Sequence, residues 1–130
     1  MSRTILIVED DAECRKILEI SLSRIAGVIV RAVATAEDAL HHVVSGKICA
    51  LVTDLGLPRM SGFELIEFVR SQSRCSNVPV LVVSANSGQE TRARVTALGA
   101  DAFFAKPFFP SEVRRELLSL IGDVVRQSPQ

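Results

Sequence analysis

Five short apolar runs alternate along the chain with longer segments in which apolar residues recur at helical spacing. The runs lie at residues 5–8, 28–33, 48–53, 80–83 and 102–105. A continuous aliphatic run is typical of a parallel strand that is covered on both faces, because neither face meets water. With short connections and right-handed crossovers, the alternation predicts an α/β fold: a five-stranded parallel doubly wound sheet with five helices.

Start signals for the helices lie at polar residues that precede the amphipathic segments. Asp11 and Thr35 are placed to cap the first and second helices, and Ser111 is the predicted cap of the last one. The fourth helix, which closes near residues 98–99, is the least defined, because Val95 and Leu98 alone give it an apolar face. The sequence therefore predicts five helices, of which the fourth is weakly packed.

The length and charge of the chain limit its organisation. With 130 residues it fits one ordinary domain, which we assign to residues 1–126, followed by a tail or linker at residues 127–130. Lys and Arg total 15, and so do Asp and Glu, so the formal net charge is zero. Nucleic-acid-binding domains usually carry a basic excess, and no direct contact with nucleic acid is therefore expected.

The sequence lacks the patterns of a membrane span and of a signal peptide. No stretch reaches the roughly 18 uninterrupted apolar residues that a span needs, and acidic residues follow the first apolar run too soon for a signal peptide. The three cysteines follow no metal-ligand spacing (Cys14, Cys49 and Cys75). We therefore expect a cytoplasmic protein with reduced thiols and no membrane contact.

Polar side chains follow four of the predicted strands. In an open α/β sheet, the carboxyl ends of the strands border the ligand crevice. Clustered carboxylates repel one another unless a cation shares them, and Mg²⁺ commonly binds a few carboxylates together with a phosphate. The residues at these ends predict a site for a metal ion and a phosphoryl group: Glu9, Asp10 and Asp11 after the first strand, Asp54 after the third, Ser84 after the fourth and Lys106 after the fifth.

Each of these residues also has an ordinary structural interpretation. An acidic residue after a strand often caps a helix, Ser84 suits a turn, and Lys106 followed by Pro107 suits a solvated loop. For Ser84 or Lys106 alone, the ordinary interpretation is favoured. Because suitable residues coincide at four separate strand ends, the functional interpretation is favoured for the set.

Five motifs give the chain a family resemblance. They are ILIVEDD at residues 5–11, LVTDLGLP at 51–58, MSG at 60–62, VVSA at 82–85 and FAKP at 104–107. In their order and spacing, and over roughly residues 3–125, the chain resembles the receiver domains of two-component response regulators. The resemblance implies the flavodoxin-like strand order 2-1-3-4-5.

The resemblance also implies a role for each residue near the metal. Asp54 corresponds to the phosphoacceptor, a carboxylate nucleophile that also binds the metal. Asp10 corresponds to a direct Mg²⁺ ligand, Glu9 to a partner that acts largely through water, and the backbone carbonyl of Gly56 to a further ligand. Asp11 is assigned to the helix cap instead.

Three further residues are implied to respond to the phosphoryl group. Lys106 corresponds to the cation that pairs with the phosphoryl oxygens and stabilises the charge that develops during transfer. Ser84 corresponds to a switch hydroxyl that bonds a phosphoryl oxygen, and Phe103 lies at an aromatic switch position where many members carry Tyr. A coupled movement of Ser84 and Phe103 would remodel a surface formed by the fourth helix, the fifth strand and the fifth helix.

The resemblance predicts a signalling switch rather than an enzyme with a separate substrate. Its phosphodonor would be a histidine kinase or phosphotransfer protein, and it would signal to a downstream protein partner, as a monomer or a phosphorylation-dependent dimer. Alternatives are a receiver-like interaction module regulated without phosphorylation and a fragment of a larger regulator or hybrid kinase. A Mg²⁺-dependent phosphohydrolase is disfavoured, because the well-known family with an Asp nucleophile carries a second Asp where Gly56 stands.

Overall fold

The backbone of residues 3–127 and the side chains of residues 3–122 are described by a computed structural model. In this part of the chain, five strands alternate with five helices, which confirms the predicted α/β class. The elements in chain order are β1 (Arg3–Val8), α1 (Ala12–Leu22), β2 (Val28–Val33), α2 (Ala36–Val44), β3 (Ile48–Thr53), α3 (Gly62–Ser71), β4 (Val80–Ser84), α4 (Gln89–Ala97), β5 (Ala102–Ala105) and α5 (Pro110–Gln127).

The strands of the sheet are parallel and lie in the order β2-β1-β3-β4-β5, which confirms the order implied by the family resemblance. The register aligns the carboxyl ends of the central strands, since Val8 of β1 pairs with Thr53 of β3. Ser84 of β4 pairs with Ala105 of β5 in the same way. The residues that follow these strands therefore emerge side by side at one edge of the sheet.

Apolar side chains cover both faces of the sheet, which explains the continuous aliphatic runs. Leu6 and Val8 of β1 pack in one cluster with residues of α2 and α3, whereas Ile5 and Ile7 pack in a second cluster with residues of α1 and α5. All four side chains are fully buried. Burial of each contributes about 1.5–3 kcal/mol relative to exposure, so the packing on both faces fixes the strand ends.

The caps predicted for the first two helices are present. The carboxylate of Asp11 accepts a hydrogen bond from the backbone N–H of Glu13 at 3.3 Å. Thr35 Oγ1 accepts one from the N–H of Asp38 at 3.0 Å. Each bond satisfies a backbone N–H that has no partner within its own helix, and this is the role assigned to Asp11 in the sequence.

The predicted cap of α5 is wrong. The helix begins at Pro110, one residue before Ser111, and the N–H groups of Glu112 and Val113 both donate to the carbonyl of Phe109. Proline has no N–H to leave unsatisfied, and its fixed φ suits the first helical position, so Pro110 starts the helix. Ser111 therefore lies inside the first turn rather than before it.

Helix α4 has as little apolar packing as its sequence indicates. Val95 is buried, whereas the other residues of α4, all of which the structure describes, are at least partly exposed. Its N-cap, Gly88, has no side chain that could accept a hydrogen bond from the first turn. Burial of its own side chains therefore contributes little to holding α4 against the sheet.

The C-terminal helix reaches the segment that the sequence assigns to a tail. Helix α5 continues through Gln127, the first residue of that segment. Residues 128–130 lie outside the described residues, so the division of the chain at residue 126 stays a prediction. Within residues 3–127, none of the helices combines the length and the apolar character that crossing a membrane requires.

Candidate functional site

Side chains from three strand ends meet at the carboxyl edge of the sheet. Lys106 Nζ donates hydrogen bonds to Glu9 Oε1 at 2.7 Å and to Asp54 Oδ2 at 2.9 Å. Glu9 is fully buried and Asp54 is 8% exposed. Because little water reaches these groups, their interactions are screened less than those of a surface ion pair. The lysine that follows β5 thus joins the acids that follow β1 and β3 in one ion-pair network.

Backbone contacts fix the position of Glu9. Its N–H donates to the carbonyl of Val33 at 3.0 Å, and its own carbonyl accepts from Arg15 at 2.9 Å. The carboxylate is bound at both oxygens, Oε1 by Lys106 and Oε2 by the N–H of Asp11 at 3.1 Å. A buried carboxylate requires such partners, since an unpaired buried charge carries a large desolvation cost.

Asp54 is held in a similar way at the end of β3. Its N–H donates to the carbonyl of Val8 at 3.0 Å, and its carbonyl accepts from Thr53 Oγ1 at 2.8 Å. In the carboxylate, Oδ1 accepts from the N–H of Leu55 at 2.6 Å, while Oδ2 accepts from Lys106. The side chain therefore has a fixed orientation, with one oxygen beside the ammonium group.

Gly62, the first residue of α3, packs against the backbone of Asp54. Its N–H donates to the carbonyl of Leu55 at 3.0 Å. A Cβ atom at this position would collide with the carbonyl oxygen of Asp54 and lie 2.7 Å from Leu55 Cα. Glycine is therefore needed for this close approach, which gives the MSG motif a structural reason.

Glu9, Asp10 and Asp54 form an acidic cluster in which one carboxylate oxygen from each residue lies within 4.8 Å of the others. Asp10 is exposed, so the cluster is accessible from solvent. Such a set of carboxylate oxygens fits Mg²⁺, which prefers oxygen ligands and usually keeps several waters. The structure thus brings together the three acids that the sequence assigns to the metal.

A cleft of about 320 Å³ adjoins Asp54 on the side of β4. Ser84, which is 2% exposed, lies in its wall, and Ser84 Oγ accepts a hydrogen bond from the N–H of Asn86 at 3.1 Å. Gly56 also lines the cleft, so both predicted residues lie near the predicted phosphoacceptor. The full lining is Asp54, Leu55, Gly56, Phe63, Ser84, Ala85 and Asn86.

Phe63 and Asn86 are cleft residues that the strand ends do not identify. Phe63 directly follows the MSG motif, and Asn86 lies two residues after Ser84, so their places beside motif residues are the signals that point to them. Side-chain type gives no such signal, because a Phe in a first helical turn and an Asn in a loop are ordinary structural residues.

Phe103 lies on the same face of the sheet as Ser84. It pairs with Val82 of β4, and residues two apart on a strand point to the same face. The ring is covered by Arg92 of α4, whose guanidinium carbon lies 4.4 Å from the ring centroid. The sequence predicts the position of Phe103 but not this contact, since a cation–π pair between two elements leaves no spacing pattern.

The ion-pair network shifts the pKa values of its members. Burial lowers the pKa of Lys106, but Glu9 and Asp54 together outweigh it, so the pKa is raised above its usual value and the ammonium stays charged. Burial raises the pKa of Glu9, and the hydrogen bonds from Lys106 and Asp11 oppose this only in part. The network therefore holds a firmly charged lysine beside an acid that resists ionisation.

Cys14 lies beside this network and is chemically quiet. Burial, together with the neighbouring Glu9, raises the pKa of its thiol to about 12. The thiolate is the reactive and metal-binding form of cysteine, so a thiol with this pKa is neither nucleophile nor ligand near neutral pH.

We expect the free energy of unfolding of the wild-type chain, relative to that of Glu9→Gln, to fall as the pH rises above 4.5, the usual pKa of Glu9. The unfolded chain releases this proton near that pH, whereas the folded chain keeps it to higher pH because burial raises the pKa. The folded state binds more protons in this window, so it loses stability as the pH rises through it. Urea unfolding without divalent cations measures the difference, and a pH-independent difference would contradict the expectation.

Fold and site together define a small doubly wound α/β domain whose strand-end acids and lysine border a cleft at the carboxyl edge of the sheet. The family model of the response regulator receiver domain matches residues 5–118. The chain belongs to this family, and the resemblance stated from its motifs is confirmed.

Curated relatives carry the same domain in proteins of different length. The chain is 36% identical over 126 residues to the transcriptional regulatory protein GltR of Pseudomonas aeruginosa, which covers 97% of the chain and 50% of GltR. It is 26% identical over 119 residues to the chemotaxis protein CheY1 of Helicobacter pylori, which covers 91% of the chain and 96% of CheY1. The chain thus spans about half the length of GltR and nearly all of CheY1.

A solved structure with the same fold holds a metal at the corresponding kind of site. The receiver domain of sensor histidine kinase PA1611 from Pseudomonas aeruginosa has a TM-score of 0.82 and 29% identity, covering 94% of this chain and 99% of that one. A magnesium ion is coordinated in its active-site cleft. The cluster of Glu9, Asp10 and Asp54 has the composition of such an acidic magnesium pocket.

Proposed function

We propose that the chain is a phosphorylation-activated switch of a two-component system, which accepts a phosphoryl group on Asp54 in a Mg²⁺-dependent reaction. The donor is a histidine kinase or a phosphotransfer protein. The observation that carries the proposal is the contact between Lys106 Nζ and Asp54 Oδ2 at 2.9 Å, beside an acidic cluster that solvent can reach. A nucleophilic oxygen, a cation for the incoming anion and a donor set for a metal thus lie in one site.

Asp54 acts as the nucleophile. One of its carboxylate oxygens attacks the phosphorus atom of the donor, and an acyl phosphate forms on the side chain. The bond from phosphorus to the imidazole nitrogen of the donor breaks, and that nitrogen keeps the electron pair. The N–H of Leu55, 2.6 Å from Asp54 Oδ1, holds the carboxylate in place before the donor arrives, which lowers the entropic cost of the reaction.

Charge neutralisation is divided between Lys106 and the acidic cluster. The raised pKa of Lys106 keeps its ammonium charged, so that it can pair with a phosphoryl oxygen during transfer. Glu9, Asp10 and Asp54 would hold Mg²⁺, with the backbone carbonyl of Gly56 as a further ligand. The ion supplies positive charge at the transferring group, which the three acids alone would repel.

The phosphoryl group gives Ser84 a new hydrogen-bond acceptor. Ser84 lines the same cleft as Asp54, so its hydroxyl can donate to a phosphoryl oxygen there. Phe103, on the same face of the sheet, then moves toward the space that Ser84 leaves. The coupled movement changes the surface formed by α4, β5 and α5, through which a downstream protein partner reads the state.

In this proposal the domain catalyses only its own phosphorylation and dephosphorylation. The chain covers nearly all of CheY1 but only half of GltR. The proposal therefore fits a separate receiver protein, and it equally fits a receiver domain within a larger regulator or hybrid kinase. Several expectations stay predictions from the sequence: output by protein contact without direct nucleic-acid binding, a monomer or phosphorylation-dependent dimer, and a cytoplasmic location. The alternative, an interaction module regulated without phosphorylation, has the same fold. It would take up no phosphoryl group, and this distinguishes it from the proposed switch.

Intact-mass spectrometry after incubation with acetyl phosphate tests the proposal. We expect the wild-type chain to gain one phosphoryl group in the presence of Mg²⁺ and none when EDTA removes the ion. The Asp54→Asn variant keeps the size of the side chain but lacks the nucleophilic oxygen, and we expect it to gain none. A gain by both proteins would identify a different acceptor, and no gain by the wild-type chain would favour the module regulated without phosphorylation.

A further inference from the structure

Helix α4 has few apolar side chains that pack against the rest of the domain, and two of its arginine side chains pack there instead. Arg92 lies over the ring of Phe103 in β5, and its guanidinium carbon is 4.4 Å from the ring centroid. Arg94 lies over the ring of Phe63 in α3, at 3.8 Å. Both distances are within the range of a cation–π interaction. Since Val95 is the buried residue of α4, the position of this helix depends on these contacts.

The Arg92–Phe103 contact is connected to the phosphoacceptor cleft through the loop before α4. Arg92 Nε donates to the carbonyl of Ser87 at 3.0 Å. In the same loop, the N–H of Asn86 donates to Ser84 Oγ in the wall of the cleft. The guanidinium is therefore anchored to the loop that carries the predicted switch hydroxyl, and it cannot follow the ring of Phe103 without breaking that anchor.

We propose that Arg92 is a positioning residue that holds Phe103 in its resting place and thereby limits the fraction of molecules competent for phosphorylation. The inference rests on the proposed function, in which phosphate on Asp54 stabilises the inward positions of the Ser84 hydroxyl and the Phe103 ring. A minor fraction of the unphosphorylated molecules already holds these positions, and this fraction is the one competent for phosphorylation. A ring that makes this movement leaves the guanidinium and loses the cation–π contact. Removing the contact in advance raises the competent fraction, and the rate of phosphorylation rises in proportion.

The sign of the effect separates this role from a general electrostatic one. A cation near the cleft attracts an anionic phosphodonor, so removal of its charge alone would slow phosphorylation. Loss of the Arg92–Phe103 contact has the opposite consequence, since it lowers the free-energy cost of moving the ring. An increase in rate after removal of a positive charge is therefore specific to the positioning role.

Arg92→Met tests the inference, because methionine keeps most of the aliphatic length and removes the charge. With acetyl phosphate and Mg²⁺, we expect the rate constant of phosphorylation, followed by intact mass, to rise about two- to fivefold, the factor that an exposed cation–π contact supplies. Arg92→Lys keeps a cation over the ring and is expected to stay within about twofold of the wild-type rate. Arg24→Met, which removes the same charge from an exposed position between α1 and β2, is the control that should leave the rate unchanged.

A double-mutant cycle assigns the effect to the ring. In a Phe103→Leu background the contact is already absent, so Arg92→Met should no longer change the rate. An unchanged or slower rate for Arg92→Met alone, or an equal rise in both backgrounds, overturns the positioning role while phosphorylation of Asp54 still stands. A wild-type chain that takes up no phosphate overturns the proposed function and, with it, this inference.

Discussion

Replacement of Lys106 by methionine is expected to lower the rate of phosphorylation of Asp54 by about 100- to 1,000-fold, the loss that follows removal of a preorganised group which stabilises developing charge. The ammonium lies 2.9 Å from Asp54 Oδ2, one of the two oxygens of the proposed nucleophile. Without it, the buried acids Glu9 and Asp54 lose the ammonium that pairs with both of them when an anion approaches. Rate constants from intact mass, at one fixed concentration of acetyl phosphate and Mg²⁺, measure the effect.

Two control variants separate the charge of Lys106 from its geometry. Lys106→Arg keeps a positive charge on a side chain of different shape and reach, so an intermediate rate is expected. Lys16→Met removes a lysine from an exposed position of α1 and should behave as the wild-type chain. A rate for Lys106→Met within about tenfold of the wild-type rate would contradict the role assigned to the ammonium.

Replacement of Gly62 by alanine is expected to lower the free energy of unfolding by about 3 kcal/mol, at the upper end of the usual cost of overpacking. The added Cβ would collide with the carbonyl oxygen of Asp54 and approach Leu55 Cα to 2.7 Å. These are backbone atoms, which cannot turn away as the end of a flexible side chain can. Urea unfolding measures the change, and a slower phosphorylation rate should accompany it because Asp54 is displaced.

Gly56→Ala is the matched control for this prediction. It makes the same chemical change two residues after Asp54, but a Cβ there meets nothing within 4 Å. We expect its free energy of unfolding to stay within about 0.5 kcal/mol of the wild-type value, as for most surface substitutions. Equal losses for the two variants would show that the close contact beneath Asp54 is not the cause.

The strands could be predicted because their physical requirements are met within continuous stretches of sequence, whereas their order was implied by the family resemblance. A strand covered on both faces must be apolar at every position, and residues 5–8 and 80–83 meet that condition. The cap of α5 could not be predicted in the same way. Both Ser111 and Pro110 are suitable residues for the start of a helix. The helix begins at Pro110 because the carbonyl of Phe109 accepts hydrogen bonds from the N–H groups of its first turn.

The members of the candidate site could be predicted because parallel strands bring their carboxyl ends to one edge. Their contacts could not, since Lys106 meets acids 97 and 52 residues away in the chain, and no spacing encodes which oxygen it binds. The need for glycine at position 62 and the contact between Arg92 and Phe103 likewise depend on close approaches between separate elements. Sequence patterns report periodicity and side-chain type, not these distances.

A titration of Mg²⁺ into the isotopically labelled chain, followed by the amide signals in NMR spectra, tests most directly whether the strand-end acids share a cation that prepares Asp54 for phosphorylation. We expect saturable changes at residues 9–11 and 54–56, and an affinity at least about tenfold weaker in the Asp10→Asn variant. Spectra of the folded wild-type chain that do not change with Mg²⁺, or that change equally in Asp10→Asn, would contradict this account.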